Sequence, residues 1–66
     1  MMVLVNGEAR EINQEASLEE LLVRLAIPGD RIAIELNQKV IRRAEWPGLT
    51  LRDGDKIEIV HFVGGG

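Results

Sequence analysis

The stretch "SLEELLVRLA", residues 17–26, predicts a single amphipathic helix, and the other predicted elements lie on either side of it. Its leucines recur at the i, i+3, i+4, i+7 spacing that forms one apolar stripe on a helix. The members of this stripe are Leu18, Leu21, Leu22 and Leu25. Ser17 and Glu20 form a capping-box pattern, which satisfies the free N–H groups at a helix start. Pro28-Gly29 is predicted to end the helix.

A β-hairpin is predicted on the amino-terminal side of this helix. Val3–Val5 and Glu8–Ile12 have the composition of strands, and Asn6-Gly7 separates them. Asn-Gly is the strongest two-residue hairpin signal, because both central residues of a type I′ turn need positive φ.

A second strand pair is predicted on the carboxyl-terminal side of the helix. Residues 31–37, "RIAIELN", alternate apolar and polar side chains, as a half-buried strand does. Asn37-Gln38 predicts a turn into a short extended run at Val40-Ile41.

The rest of the chain leads to a final strand. Residues 42–51 have no regular pattern, and we expect Trp46 to fold over the edge of the core. Asp53-Gly54 predicts another turn. The segment "KIEIVHFV", residues 56–63, predicts the last strand.

The element order, β-β-α-β-β with room for a further short strand, indicates an α+β fold. One amphipathic helix can cover one face of a mixed four- to five-stranded sheet. This architecture is the β-grasp, or ubiquitin-like, fold, in which the first and last strands lie parallel in the middle. We therefore expect a β-grasp domain at residues 1–63 and a flexible tail of three glycines at 64–66.

Composition narrows the classes of function. The formal net charge is -3, which disfavours nucleic-acid binding because such binding depends on positive charge. The chain has no cysteine, so it offers neither a disulfide nor a thiolate metal ligand. No segment approaches the roughly 20 apolar residues of a membrane span, and the start lacks the features of a secretory signal. We expect a cytoplasmic protein.

The last strand is expected to carry apolar side chains on both sheet faces, since side chains alternate along a strand. The face toward the helix would receive Ile57, Ile59, His61 and Val63. Val60 and Phe62 would point to the open face, where we expect Leu4 beside Val60, with Ala33 and Glu35 nearby. An exposed apolar patch usually marks a partner surface, although outer residues of a small sheet are also aliphatic for β-propensity alone.

Side chains that could carry catalysis are few. His61 is the only histidine, and near a strand end a structural histidine is commoner than a catalytic base. Asp53, Asp55 and Glu58 could bind a metal ion, but Asp-Gly-Asp at a hairpin is far commoner as turn chemistry. Ser17 is accounted for by helix capping. The sequence therefore predicts no intrinsic cofactor, no metal site and no enzyme activity of its own.

The three terminal glycines, Gly64–Gly66, offer one reactive group. Glycine lacks a Cβ, so such a tail can adopt backbone conformations closed to other residues and can enter a narrow channel. We expect Gly66 to carry a free carboxylate that no side chain hinders. A frayed end or a linker remnant is the ordinary alternative, but here an apolar strand-like run continues as far as Val63.

Four features together resemble the ThiS/MoaD family of β-grasp sulfur carriers. They are the element order, the Asn6-Gly7 hairpin, "DGD" at 53–55 and the ending "VHFVGGG" at 60–66. The stretch from "DGD" to the end is specific to the ThiS branch, whereas a Gly-Gly end alone is shared with MoaD and ubiquitin. In this family the Gly-Gly pair corresponds to Gly65 and Gly66.

The resemblance implies a carrier that needs no catalytic side chains. A ThiF-type, E1-like enzyme would adenylate the Gly66 carboxylate with its own ATP and magnesium. Sulfur from a cysteine desulfurase would convert the product to a thiocarboxylate, which would donate sulfur to thiazole synthase, ThiG, for the thiazole of thiamine. Both partners would hold the tail and the open sheet face. The implied contact residues are Leu4, Val60, Phe62, Val63, Gly64 and Gly65.

Several alternatives remain open. A MoaD-like carrier would serve molybdopterin synthesis, although those proteins more often carry proline before the Gly-Gly end. A ubiquitin-like modifier would form isopeptides with lysines, and a related carrier would serve tRNA thiolation. A plain interaction module would have an inert tail.

Overall fold

The computed structural model describes residues 1–13 and 15–63, and these form the predicted α+β fold. A sheet of five strands packs against one α-helix and one 3₁₀ helix. The elements are β1 (Met2–Val5), β2 (Glu8–Glu11), α1 (Leu18–Arg24), β3 (Ile32–Leu36), β4 (Lys39–Ile41), the 3₁₀ helix (Arg43–Gly48) and β5 (Lys56–His61). Within the described ranges, no helix is long and apolar enough to cross a membrane. The predicted tail at 64–66 lies outside the described residues.

The sheet has the strand order β2-β1-β5-β3-β4. β1 and β5 pair in parallel, with Leu4 opposite Lys56 and Val5 opposite Ile57. The two outer pairs, β1 with β2 and β3 with β4, are antiparallel hairpins. The expected parallel pairing of the first and last strands is therefore confirmed, and β5, the strand that leads to the tail, lies in the centre of the sheet.

Both hairpin turns use left-handed backbone conformations. Asn6 and Gly7 have φ values of 49° and 83°, as the Asn-Gly signal predicts. In the second turn, Asn37 and Gln38 have φ values of 51° and 72°. Gln38 is unusual there, since a side chain with a Cβ is disfavoured at positive φ.

The helix begins where the sequence predicts and ends earlier. The Glu20 amide donates to the Ser17 hydroxyl at 3.1 Å, and the Ser17 amide donates to the Glu20 carboxylate at 2.8 Å. This hydrogen bond from the Ser17 backbone lowers the pKa of Glu20 below its ordinary value. α1 stops at Arg24, not at Pro28-Gly29, because Ala26 turns left-handed with φ 57°. The amides of Ala26 and Ile27 then bond back to the last turn, as in a Schellman motif.

The core lies between α1 and one sheet face. Its buried side chains are Val3, Val5, Ile12, Ala16, Leu18, Leu21, Leu22, Ile32, Ile34, Trp46, Leu51, Ile57 and Ile59. Trp46 closes the edge of this core as expected, and its Nε1 donates to the Ile41 carbonyl at 3.2 Å. The segment around it was predicted to be irregular but forms the 3₁₀ helix. Such short 3₁₀ turns lack a long apolar periodicity, so no sequence pattern distinguishes them from a loop.

Candidate functional site

The candidate site is built on the carboxyl-terminal half of β5. The register places Ile34 opposite Ile59, Ala33 opposite Val60, and Ile32 opposite His61. Beyond the end of the strand, the Phe62 amide still donates to the Arg31 carbonyl at 2.9 Å. Hydrogen bonds to the β3 side therefore hold the chain in an extended conformation as far as Phe62, two residues before the first glycine of the tail.

The Asn6 side chain clamps the other side of β5. Its Oδ1 accepts from the Ile59 amide at 2.7 Å, and its Nδ2 donates to the Ile59 carbonyl at 3.2 Å. The Asn6 amide itself donates to the Ile57 carbonyl at 2.8 Å. The carboxamide thus acts as one more residue of β1 after the chain has turned away into β2.

The second hairpin fixes the start of β5 in a similar way. The Lys56 amide donates to the Asn37 Oδ1 at 2.9 Å, and the Asn37 amide donates to the Lys56 carbonyl at 2.8 Å. The Asn37 Nδ2 also donates to Asp55 at 3.0 Å. An asparagine from each hairpin turn therefore contacts the central strand, one near each end.

Removal of the Asn6 clamp is expected to destabilise the fold. Asn6→Gly keeps the positive φ of the turn and deletes both side-chain hydrogen bonds to Ile59. Each such bond contributes about 0.5–1.5 kcal/mol, so the free energy of unfolding should fall by about 1–3 kcal/mol in a urea titration. Asn13→Gly makes the same substitution at an exposed loop position and serves as the control. Equal midpoints for the two variants would show that the clamp adds no stability.

The predicted exposure of Val60 and Phe62 on the open face is confirmed. Val60 is 58% exposed and Phe62 53%. Ala33, directly opposite Val60, is exposed as well. These three residues, named here the apolar strip, lie next to the tail. Their contact with a partner stays a prediction.

The expected position of Leu4 beside Val60 is wrong. Leu4 is half-buried and lies opposite Lys56, four residues before Val60 along β5. Four residues of strand separate the two positions by about 13 Å. Leu4 therefore lies outside the apolar strip. Glu35 is opposite Glu58, between the two positions, so two exposed carboxylates interrupt the predicted apolar patch.

The expected inward positions of His61 and Val63 are also wrong, since Val63 is 98% exposed. His61 has the parity of buried Ile57 and Ile59, but its side chain is exposed. Its neighbour across the sheet, Ile32, is still buried, whereas β5 has no further buried residue after Ile59. The hydrophobic core therefore ends at Ile59, two residues before the end of β5. The alternation of side chains along a strand predicts which sheet face a side chain points to, but not whether the core extends that far.

The remaining chemical candidates have structural roles. Asp53 accepts a hydrogen bond from the Met2 amide at 2.8 Å, and Asp55 accepts one from the Arg52 amide at 2.7 Å. The carboxylates and the histidine of the described residues form no cluster of three suited to a metal ion. A groove of about 660 Å³ lies between β2 and α1. None of the predicted site residues lines it.

Comparisons with known proteins match this architecture along its whole length. The model of the ThiS family matches residues 3–66. The chain belongs to the ThiS family. The sulfur carrier protein ThiS of Thermus thermophilus is 35% identical over 65 residues, which cover 98% of this chain and 100% of that protein. The crystal structure of a thiamine biosynthesis protein, ThiS, from Geobacter metallireducens superposes with a TM-score of 0.86 at 32% identity, covering 100% of both chains.

Relatives of this ThiS-family chain also include longer proteins. A thiazole synthase of Paramagnetospirillum magneticum is 35% identical over 66 residues, which cover 100% of this chain. The chain spans only 20% of the length of that synthase. Relatives of this chain thus include proteins of about the same length and a protein about five times as long.

Proposed function

We propose that this chain is a sulfur carrier in thiamine biosynthesis, and that the carrying group is the carboxylate of Gly66. The observation that supports it most is the end-to-end similarity to proteins named sulfur carriers. The geometry agrees with a carrier. Hydrogen bonds to β3 hold the chain from Lys56 to Phe62 in an extended conformation, and the first glycine follows two residues later in the sequence. The chain is then the substrate of its partners and not an enzyme.

The proposed chemistry activates a poor electrophile. An oxygen of the Gly66 carboxylate attacks the α-phosphorus of ATP on a ThiF-type enzyme, and pyrophosphate leaves. The terminal sulfur of a persulfide on the cysteine desulfurase then attacks the acyl carbon, so that a C–S bond forms and AMP leaves. A thiol reductant cleaves the S–S bond of the resulting acyl disulfide and thereby releases the carrier from the desulfurase. The product is a thiocarboxylate, which delivers nucleophilic sulfur without release of free sulfide. ATP and magnesium belong to the activating enzyme, and the reaction takes place in the cytoplasm.

Three partners follow from this proposal. They are the ThiF-type adenylyltransferase, a cysteine desulfurase as the sulfur source, and thiazole synthase as the acceptor. The similarity between this chain and a segment of two proteins named thiazole synthase supports the last of these. No sequence feature favours the MoaD-like, modifier or tRNA-thiolation alternatives over this proposal.

The intact mass of the protein from its native cells tests the proposal. A fraction of molecules should be heavier by the difference between one sulfur and one oxygen atom. Because the sequence contains no cysteine, a thiol-selective alkylating reagent should label that heavier fraction alone, at the carboxyl-terminal glycine. Tandem mass spectrometry of the labelled peptide also identifies the terminal residue. Unlabelled protein from cells that are making thiamine would contradict the proposal, and isopeptide conjugates to lysines would favour a modifier.

A further inference from the structure

The two sides of β5 are paired to different lengths. In an antiparallel pair, the residues that exchange backbone hydrogen bonds recur at every second position. The Asn37 amide donates to the Lys56 carbonyl, and the Phe62 amide donates to the Arg31 carbonyl. The even-numbered residues of β5 therefore bond to β3. The odd-numbered residues point their N–H and C=O groups to the opposite side, toward β1.

On the β1 side, the pairing ends at Ile59. β1 stops at Val5, and the Asn6 side chain then takes both backbone groups of Ile59. The next odd-numbered residues are His61 and Val63. Within the part of the chain that the structure describes, no strand lies in register with them on this side. We call these two residues the open edge.

The open edge is an unusual feature for the central strand of a sheet. Unpaired N–H and C=O groups of an extended segment are a template for another strand. Partners that bind in this way add a strand to the sheet, so that main-chain hydrogen bonds supply affinity and side-chain contacts supply specificity. The apolar strip borders the open edge and would supply such side-chain contacts.

We propose that an extended segment of the enzyme that activates Gly66 binds to the open edge. This segment adds to the sheet as a further strand, on the same side of β5 as β1 and beyond the end of β1. This inference rests on the proposed function. In the proposed function the reacting carboxylate belongs to Gly66, three positions after Val63, and three residues of extended chain span at most about 10 Å. An enzyme that holds the Gly66 carboxylate in its active site must therefore surround the open edge. Strand addition would fix the distance between the sheet and that carboxylate.

Amide hydrogen exchange tests this inference on the full chain. The amides of His61 and Val63 should exchange rapidly in the free protein, because neither donates a backbone hydrogen bond to a residue in the described ranges 1–13 and 15–63. When the purified ThiF-type adenylyltransferase is added, both rates should fall at least about ten-fold. The Phe62 amide is the internal control, since its bond to Arg31 protects it in both states.

A pair of variants separates the backbone from the side chain at the open edge. Val63→Pro deletes the edge amide, and Val63→Ala keeps this amide while it shortens the side chain. Loss of a main-chain hydrogen bond should make the proline variant bind the adenylyltransferase about ten-fold more weakly than the alanine variant. Equal affinities would overturn the inference.

Two further outcomes of the exchange experiment would overturn the inference. If the enzyme shifts the Phe62 ring signals while the edge amides keep their free rates, the enzyme contacts side chains only, and the proposed function stands. If protection rises with the concentration of this chain alone, the added strand comes from a second copy. Failure of the proposed function is recognised separately, because the enzyme would then catalyse no ATP–pyrophosphate exchange with this chain.

Discussion

Deletion of Gly65 and Gly66 is expected to abolish sulfur transfer and to leave the stability of the fold unchanged. The shortened chain would end at Gly64, and its carboxylate would lie up to about 7 Å short of the original position. Acyl activation needs the reacting atoms within about 3–3.5 Å, so this displacement is not tolerated. The fold should persist because, among the residues that the structure describes, Ile59 is the last buried one, well before the deletion.

Thiazole formation in a reconstituted system with the adenylyltransferase, the desulfurase and thiazole synthase measures this effect. Thermal unfolding of the same samples measures the stability. Gly66→Ala is the matched control, because it keeps both the length of the tail and its carboxylate and adds one methyl group. The control should retain measurable transfer. If the shortened protein still supports thiazole formation, Gly66 does not carry the sulfur.

Most elements of the fold could be predicted because their signals are local. Asn6-Gly7 specifies its own turn through positive φ, and the capping box of Ser17 and Glu20 specifies the helix start within four residues. The end of α1 was harder to predict. Ala26 adopts a left-handed conformation that alanine rarely takes. The first residue that predicts a helix end is therefore Pro28, later than the observed end at Arg24.

The candidate site was less predictable, because it depends on pairing between distant segments. Parity correctly placed Val60 and Phe62 on the open face, but it says nothing about position along a strand. The β1–β5 register, which moves Leu4 away from Val60, is set by contacts between residues more than 50 positions apart. The bonds from Asn6 to Ile59 also cross 53 positions. In the sequence, the Asn6-Gly7 turn already accounts for the asparagine, so no pattern indicates that its side chain also binds Ile59.

Substitution of Phe62 by aspartate is expected to weaken binding to the ThiF-type adenylyltransferase with little loss of stability. Phe62 is 53% exposed and lies outside the buried core, so the variant should lose less than about 1 kcal/mol of unfolding free energy. Aromatic anchors at the centre of an interface contribute about 2 kcal/mol or more. Burial of a new carboxylate adds to that loss, so affinity should fall at least about 30-fold.

The control for Phe62→Asp must add the same charge away from the apolar strip. Val23→Asp does so, since Val23 is 76% exposed on α1, and the helix packs on the opposite face of the sheet. Titration calorimetry of both variants against the enzyme, together with their melting temperatures, separates binding from folding. A large fall in the melting temperature of the Phe62 variant would mean that its ring stabilises the sheet. Equal affinities for both variants would show that the enzyme does not contact this end of β5, and the apolar strip would then lose its proposed role.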